Sequence, residues 1–302
     1  MIPGGVREFC YRQADNAVFV PPGPFWQGCI RAKELDVEWC NASSWDAVRA
    51  VTTAPYLVQR TPVTQSEYRD CAEAQNGCSE WPFGYTEEWD WYPAFGEVAI
   101  GGITTSEAER YCEWLGEKSK VRWRLCSNSE WEKAARGGCE TLPGGGDLGR
   151  CAEEVRLYPW GDEYPECEIV TTIRGCDLNE ANTPGYAWGL PVGSDPQAAG
   201  PYGVLDMWGT DLELVADCFP VVPTPPSFPP TDGSAWDHDC RFEPDSDGVL
   251  RPIRYVRGGG YGFNPLGGSQ YPLSVYHPLR EYGEYGQVLQ FRCCADFDQA
   301  DE

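Results

Sequence analysis

Arg124-Leu125-Cys126-Ser127-Asn128-Ser129-Glu130-Trp131-Glu132-Lys133-Ala134-Ala135-Arg136-Gly137-Gly138 is the stretch on which the fold reading turns. Ser127 and Glu130 stand three apart, the spacing of a capping box, in which two side chains close the free N–H groups of a helix start. Trp131, Ala134 and Ala135 then share one helical stripe, and Gly137-Gly138 end the helix. Thr104-x-x-Glu107 opens a second helix, with Ala108, Tyr111, Cys112 and Leu115 on one face. Thr64-x-x-Glu67 opens a third, leading into Tyr68 and Cys71. The rest is rich in turns and aromatic rings, as in Tyr158-Pro159-Trp160-Gly161-Asp162 and Arg257-Gly258-Gly259-Gly260-Tyr261. Val51–Val58 and Val288–Cys293 read as short strands. The six prolines of Pro220–Pro230 read as an extended surface loop. The class is α+β with low regular secondary structure.

The chain has 302 residues, 47 acidic against 23 basic, for a net charge of −24. Its length allows roughly three quarters of the unfolded surface to be buried. The negative charge excludes nucleic acid and anionic membrane surfaces as partners, because like charges repel before contact. No apolar run is long enough for a transmembrane segment. Met1-Ile2-Pro3-Gly4 shows no signal peptide, so a mature chain or one trimmed to an added Met1 is expected.

Fifteen cysteines oppose a reducing compartment. Zinc needs closely spaced Cys and His clusters, but there is no C-x2-C, and His238 and His277 are the only histidines. The spacing instead suggests local loops closed by disulfides: Cys29/Cys40, Cys71/Cys78, Cys139/Cys151, Cys167/Cys176 and Cys218/Cys240. A disulfide-stapled domain in an extracytoplasmic setting follows, whether secreted, periplasmic or lipoprotein-anchored.

These motifs together resemble the formylglycine-generating enzyme family, also called the sulfatase-modifying-factor domain. The family's Y-C-x-W is matched by Tyr111 to Trp114, and its R-L-P-T-E-A-E-W-E-x-A-A-R-G-G by Arg124 to Gly138. Y-P-W-G-D is Tyr158 to Asp162, and P-V-G-S is Pro191 to Ser194. Gly203 to Asp217 resembles G-L-Y-D-M-x-G-N-V-W-E-W-x-x-D. Arg257 to Tyr261 and Gln290 to Cys293 resemble the closing R-G-G-S-W and G-F-R-C. Weaker similarity at Pro21 to Phe25 and Pro62 to Thr64 carries the match back to about residue 20. The resemblance implies a C-type-lectin-like fold and a disulfide between Cys112 and Cys293. Cys10, Cys126 and Cys294 stay unassigned. The organisation expected is an N-terminal extension over 1–24, a single domain over 25–296 and an acidic tail over 297–302.

The family's oxidase activity, as the resemblance implies it, uses two cysteines just after R-G-G-S-W, with four residues between them. Two thiolates suit a soft Cu(I) ion. Counting from Arg257, those positions hold Phe263 and Gly268, so copper is not expected. The iron-binding branch of the fold uses three histidines, which this chain lacks. His238, in Asp237-His238-Asp239, reads as a solvated loop residue, and His277 as structural or exposed. The resemblance also implies structural calcium, for which Asp211, Glu213, Asp177 and Asn179 offer oxygens, with a solvated acidic loop as the plainer reading.

The function expected is a catalytically inactive member acting as a binding or structural module for a protein or carbohydrate. Two alternatives stand beside it: an oxidase of sulfatase cysteines with a non-standard site, and a diversified receptor on a lectin-like fold. Tyr261, Phe263, Asn264 and Tyr271 are the candidate ligand-binding residues. Trp81–Tyr92 offers a second aromatic surface. Core packing is the competing role for each of these rings.

Overall fold

A computed structural model describes residues 16–28, 48–74, 77–78, 95–143, 145–163, 191–208, 212–221, 230–244, 249–258, 277–279 and 290–297. All three capping boxes form. Helix α1 (Gln65–Glu73) starts at Thr64, α2 (Thr105–Ser119) at Thr104 and α3 (Asn128–Arg136) at Ser127, each with the reciprocal hydrogen bonds to its N3 glutamate. Gly137 ends α3 with φ 89°, a left-handed conformation that favours glycine. A fourth helix, α4 (Leu148–Glu154), is capped by Asp147, whose carboxylate accepts from the N–H groups of Gly149 and Arg150.

Two four-stranded sheets organise the described residues. The first is built from β1 (Ala17–Val20), β4 (Tyr56–Gln59), β5 (Trp123–Leu125) and β12 (Cys293–Asp296), in the order β1-β4-β12-β5, antiparallel throughout. The second contains β6 (Glu213–Cys218), β9 (Arg254–Arg257), β10 (His277–Leu279) and β11 (Gln290–Phe291), in the order β10-β9-β6-β11. Its β11–β6 pair is parallel. Two smaller ribbons pair β2 (Gly23–Gln27) with β3 (Arg49–Thr53), and β7 (Phe242–Pro244) with β8 (Leu250–Pro252).

The single strand expected over Val51–Val58 is two. Its first part belongs to β3 and its last to β4, in different sheets, with Ala54 and Pro55 between them. Pro55 has no N–H to give a ladder, so the break falls where the chain can turn out of the ribbon. The strand expected over Val288–Cys293 is likewise divided at Arg292 into β11 and β12. β1 lies within the stretch read as an N-terminal extension, yet it pairs with β4 from Ala17↔Gln59 to Val20↔Tyr56. Phe297, read as the start of a tail, packs edge-on against Phe19 with ring centroids 4.9 Å apart.

Consecutive residues of a strand face opposite sides, and Cys293 and Cys294 use this to staple β12 in two directions. Cys293 bonds Cys112 of α2, as the resemblance implied, and lies in one apolar cluster with Tyr68, Tyr111 and Phe291. Cys294 bonds Cys126 and lies in a second cluster with Trp131, Val58 and Val215. That pairing accounts for two of the three cysteines left unassigned from sequence. The local pairs Cys71–Cys78, Cys139–Cys151 and Cys218–Cys240 form as expected. Cys10, Cys29, Cys40, Cys167 and Cys176 lie outside the described residues.

Candidate functional site

The segment after β9 is where the family's copper cysteines would fall, and the frame that launches it is a buried ionic cluster. Arg257, the last residue of β9, is fully buried and donates from Nη2 to Glu132 Oε2 at 2.6 Å. Its guanidinium carbon lies 5.1 Å from the centroid of the Trp131 ring. The other oxygen of Glu132 accepts from the Gly28 N–H at 2.9 Å and stands 3.4 Å from Arg136 Nε. Glu132 therefore joins α3 to the ends of both β2 and β9. The inner stripe read from sequence was too narrow, because every residue of α3 is buried, including Glu132, Lys133 and Arg136. Lys133 Nζ donates to the carbonyls of Pro21 and Gly23 and to Thr53 Oγ1 at 2.8–3.1 Å, and burial pushes its pKa down. A charged helix can be buried here because its charges meet partners at hydrogen-bonding distance.

A second feature is a cavity of about 420 Å³ beside α1 and α2. Its floor is Tyr111, 2 % exposed, which stacks on Tyr68 at 6.1 Å and meets the edge of Phe291 at 5.4 Å. Trp114 rises from α2, 5.6 Å from Tyr111, and Trp123 of β5 forms another wall. Trp123 Nε1 donates to Ser119 Oγ at 3.1 Å, and that hydroxyl donates to the Leu115 carbonyl at 2.8 Å, which fixes the wall to the last turn of α2. Lys118 places Nζ 4.9 Å from the centroid of the Trp114 ring. Glu67 and Asp70 of α1 line the cavity, with Gln59 and Asn16. Gln59 Oε1 accepts from the Cys293 N–H at 2.8 Å. Burial, with a contribution from Glu67, pushes the Tyr111 pKa well above the ordinary tyrosine value. The hydroxyl stays protonated and can donate.

Of the residues singled out from sequence, Glu213 is in view. It is buried, and both its oxygens are engaged: Arg292 Nε and Trp131 Nε1 reach Oε2 at 2.6 and 2.9 Å, and Arg292 Nη2 reaches Oε1 at 2.7 Å. Tyr261, Phe263, Asn264, Tyr271, Asp211, Asp177 and Asn179 lie outside the described residues, as does Trp81–Tyr92. Among the described residues no three His, Cys, Asp or Glu side chains converge as a metal-holding group. His238 has its side chain 77 % exposed, as a solvated loop residue should, with Nδ1 3.1 Å from Asp237. The sequence reading missed the cavity. Its one signal was Trp114 with Lys118 a helical turn later and Tyr111 three residues before, which share a face.

The sheets, the buried R-G-G anchor and the Cys112–Cys293 staple define a formylglycine-generating-enzyme-like domain. The chain belongs to the sulfatase-modifying factor enzyme 1-like domain family, whose profile matches residues 4–286. It is 23% identical over 254 residues to the inactive C-alpha-formylglycine-generating enzyme 2 of Bos taurus, covering 72% of this chain and 75% of that protein. Among solved structures it is similar to PvdO from Pseudomonas aeruginosa, with TM-score 0.58 and 21% identity over 93% of this chain and 94% of that one. It is also similar to CarF, with TM-score 0.54 and 17% identity over 94% and 98% of the two chains. No helix among the described residues is long and apolar enough to cross a membrane.

Proposed function

We propose that this chain is a non-catalytic member of its family that works outside the cytoplasm as a binding module. The observation that carries the reading is the donor set. Arg257 closes β9 in register with Glu213 of β6 and is anchored to Glu132, so the count to the positions of the family's two thiolates starts from a fixed residue. Those positions hold Phe263 and Gly268. A phenyl ring and a hydrogen atom cannot ligate Cu(I), which requires soft sulfur donors. All ten described cysteines are already paired in disulfides. The residues present do not fit a copper centre of the family's kind. The inactive relative from Bos taurus supports the same reading.

Binding is the function that remains for a rigid, disulfide-stapled frame carrying long connections and aromatic rings. The partner is a protein or carbohydrate outside the cytoplasm, where ten oxidised cysteines persist. Competition for Cu(I) between the oxidised protein and a chromophoric chelator tests the donor argument. The chelator should retain the metal. Uptake of one tightly held equivalent by the protein would overturn the reading.

A further inference from the structure

We infer that the cavity beside α1 and α2 takes the cationic side chain of a lysine or arginine displayed by a partner protein. This rests on the binding-module reading and specifies its ligand. Tyr111, Trp114 and Trp123 surround a space large enough for a flexible basic side chain, at about 420 Å³. Aromatic faces attract cations through the negative potential above the ring, and the attraction grows as water is excluded. One such contact already exists, because the chain's own Lys118 ammonium sits 4.9 Å from the Trp114 centroid. Lys118 is exposed and flexible, so an incoming cation can displace it into water. Glu67 and Asp70 place two carboxylates on the same cavity against that single ammonium. The whole chain, at −24, draws cationic partners toward it from a distance. A neutral sugar would gain nothing from Glu67, Asp70 or the net charge in displacing Lys118 from the Trp114 face, whereas a cation gains from all three. An anionic ligand would meet Glu67, Asp70 and the field of the entire chain.

The inference is tested by following indole N–H resonances of the intact, oxidised protein as short capped peptides are added. The probes are Gly-Lys-Gly and Gly-Arg-Gly, with Gly-Glu-Gly and maltose as the competing chemistries. The basic peptides should shift Trp114 and Trp123 at millimolar concentrations, and the other probes should not. Trp114→Ala should weaken binding by about fivefold and Asp70→Asn by about threefold. Lys118→Ala should tighten it by about threefold, because it frees the ring face and removes a like charge. Asp70 and Lys118 are both exposed, so their substitution leaves the fold intact. Weaker binding in Lys118→Ala, equal response to the glutamate peptide or maltose, or silence of both indoles toward the basic peptides would each overturn the inference. Conversion of a cysteine peptide to formylglycine would instead sink the non-catalytic reading, so the two failures are distinguishable.

Discussion

Arg292 and Glu213 form a two-pronged ion pair, fully buried, at the point where the last strand changes sheets. Arg292 Nε and Nη2 meet the two oxygens of Glu213 at 2.6 and 2.7 Å. The remaining donors reach the carbonyls of Gln59, Arg60 and Leu205 at 3.0–3.2 Å, so all five guanidinium N–H groups are used. On one side of Arg292, Phe291 pairs with Leu214 in the second sheet. On the other, Cys293 pairs with Leu125 in the first. Arg292→Ala should therefore cost about 3–5 kcal/mol in urea unfolding, because Glu213 is left buried and uncompensated. Arg292→Lys should recover little, since a point charge cannot reproduce the fork. A paired replacement of both residues by Met and Leu should be milder than Arg292→Ala alone.

The two disulfides from adjacent cysteines predict an unusual peptide map. Trypsin on unreduced protein should release one species of three chains, 111–118, 125–133 and 293–302, joined through Cys112–Cys293 and Cys126–Cys294. Any of the three peptides recovered alone with a free thiol would refute the pairing. The bridges span 181 and 168 residues, and in the chain-entropy account the first to close gives roughly 5 kcal/mol, while the second, closing only the short path left between their neighbouring ends, gives roughly 3 kcal/mol.

Two buried carboxylates give the stability a pH dependence. Burial pushes Asp206 and Asp217 up to about 6, against the hydrogen bonds from Gly193 to the first and from Asn128 and Trp236 to the second. The folded state thus holds protons that the unfolded chain releases near pH 4. Their contribution is fully present below that pH and is lost as pH rises through about 6. The loss is on the order of 2 kcal/mol per group. Urea unfolding at pH 5 and pH 7.5 should show a smaller difference in Asp217→Asn than in the parent chain. An unchanged difference would remove Asp217 from the account.

Gly137→Ala should destabilise by roughly 1–3 kcal/mol in the same assay. A Cβ there would lie 2.6 Å from Thr141 Oγ1 and 2.9 Å from Pro201 Cγ, at a φ that side chains rarely adopt. Gly102→Ala, at φ 68° with open space around it, should cost about 1 kcal/mol and serves as the control.

What the sequence made legible was local. The capping boxes at Thr64, Thr104 and Ser127 declare themselves within four residues, and all three helices begin there. The short disulfide loops declare themselves by spacing. Cys126–Cys294 does not, because its partners are brought together only by the pairing of β12 with β5. α4 escaped notice because its Asp147 cap follows a glycine run and its seven residues bury one side chain, Cys151. Glu132 and Lys133 fell outside the stripe read from sequence, because a charge pattern does not reveal that partners wait on β2, β3 and β9. The cavity escaped for a related reason: Trp114 and Lys118 are neighbours in sequence, but Trp123, Glu67 and Asp70 join them only through the packing of three elements.

We propose that this family member has lost the oxidase chemistry while keeping the frame. The most direct measurement is mass spectrometry of a C-x-P-x-R peptide incubated with the oxidised protein, Cu(I), a thiol reductant and oxygen. The account predicts that the cysteine is recovered unchanged beyond a protein-free control. Copper-dependent appearance of formylglycine in the peptide, proportional to protein added, would contradict it.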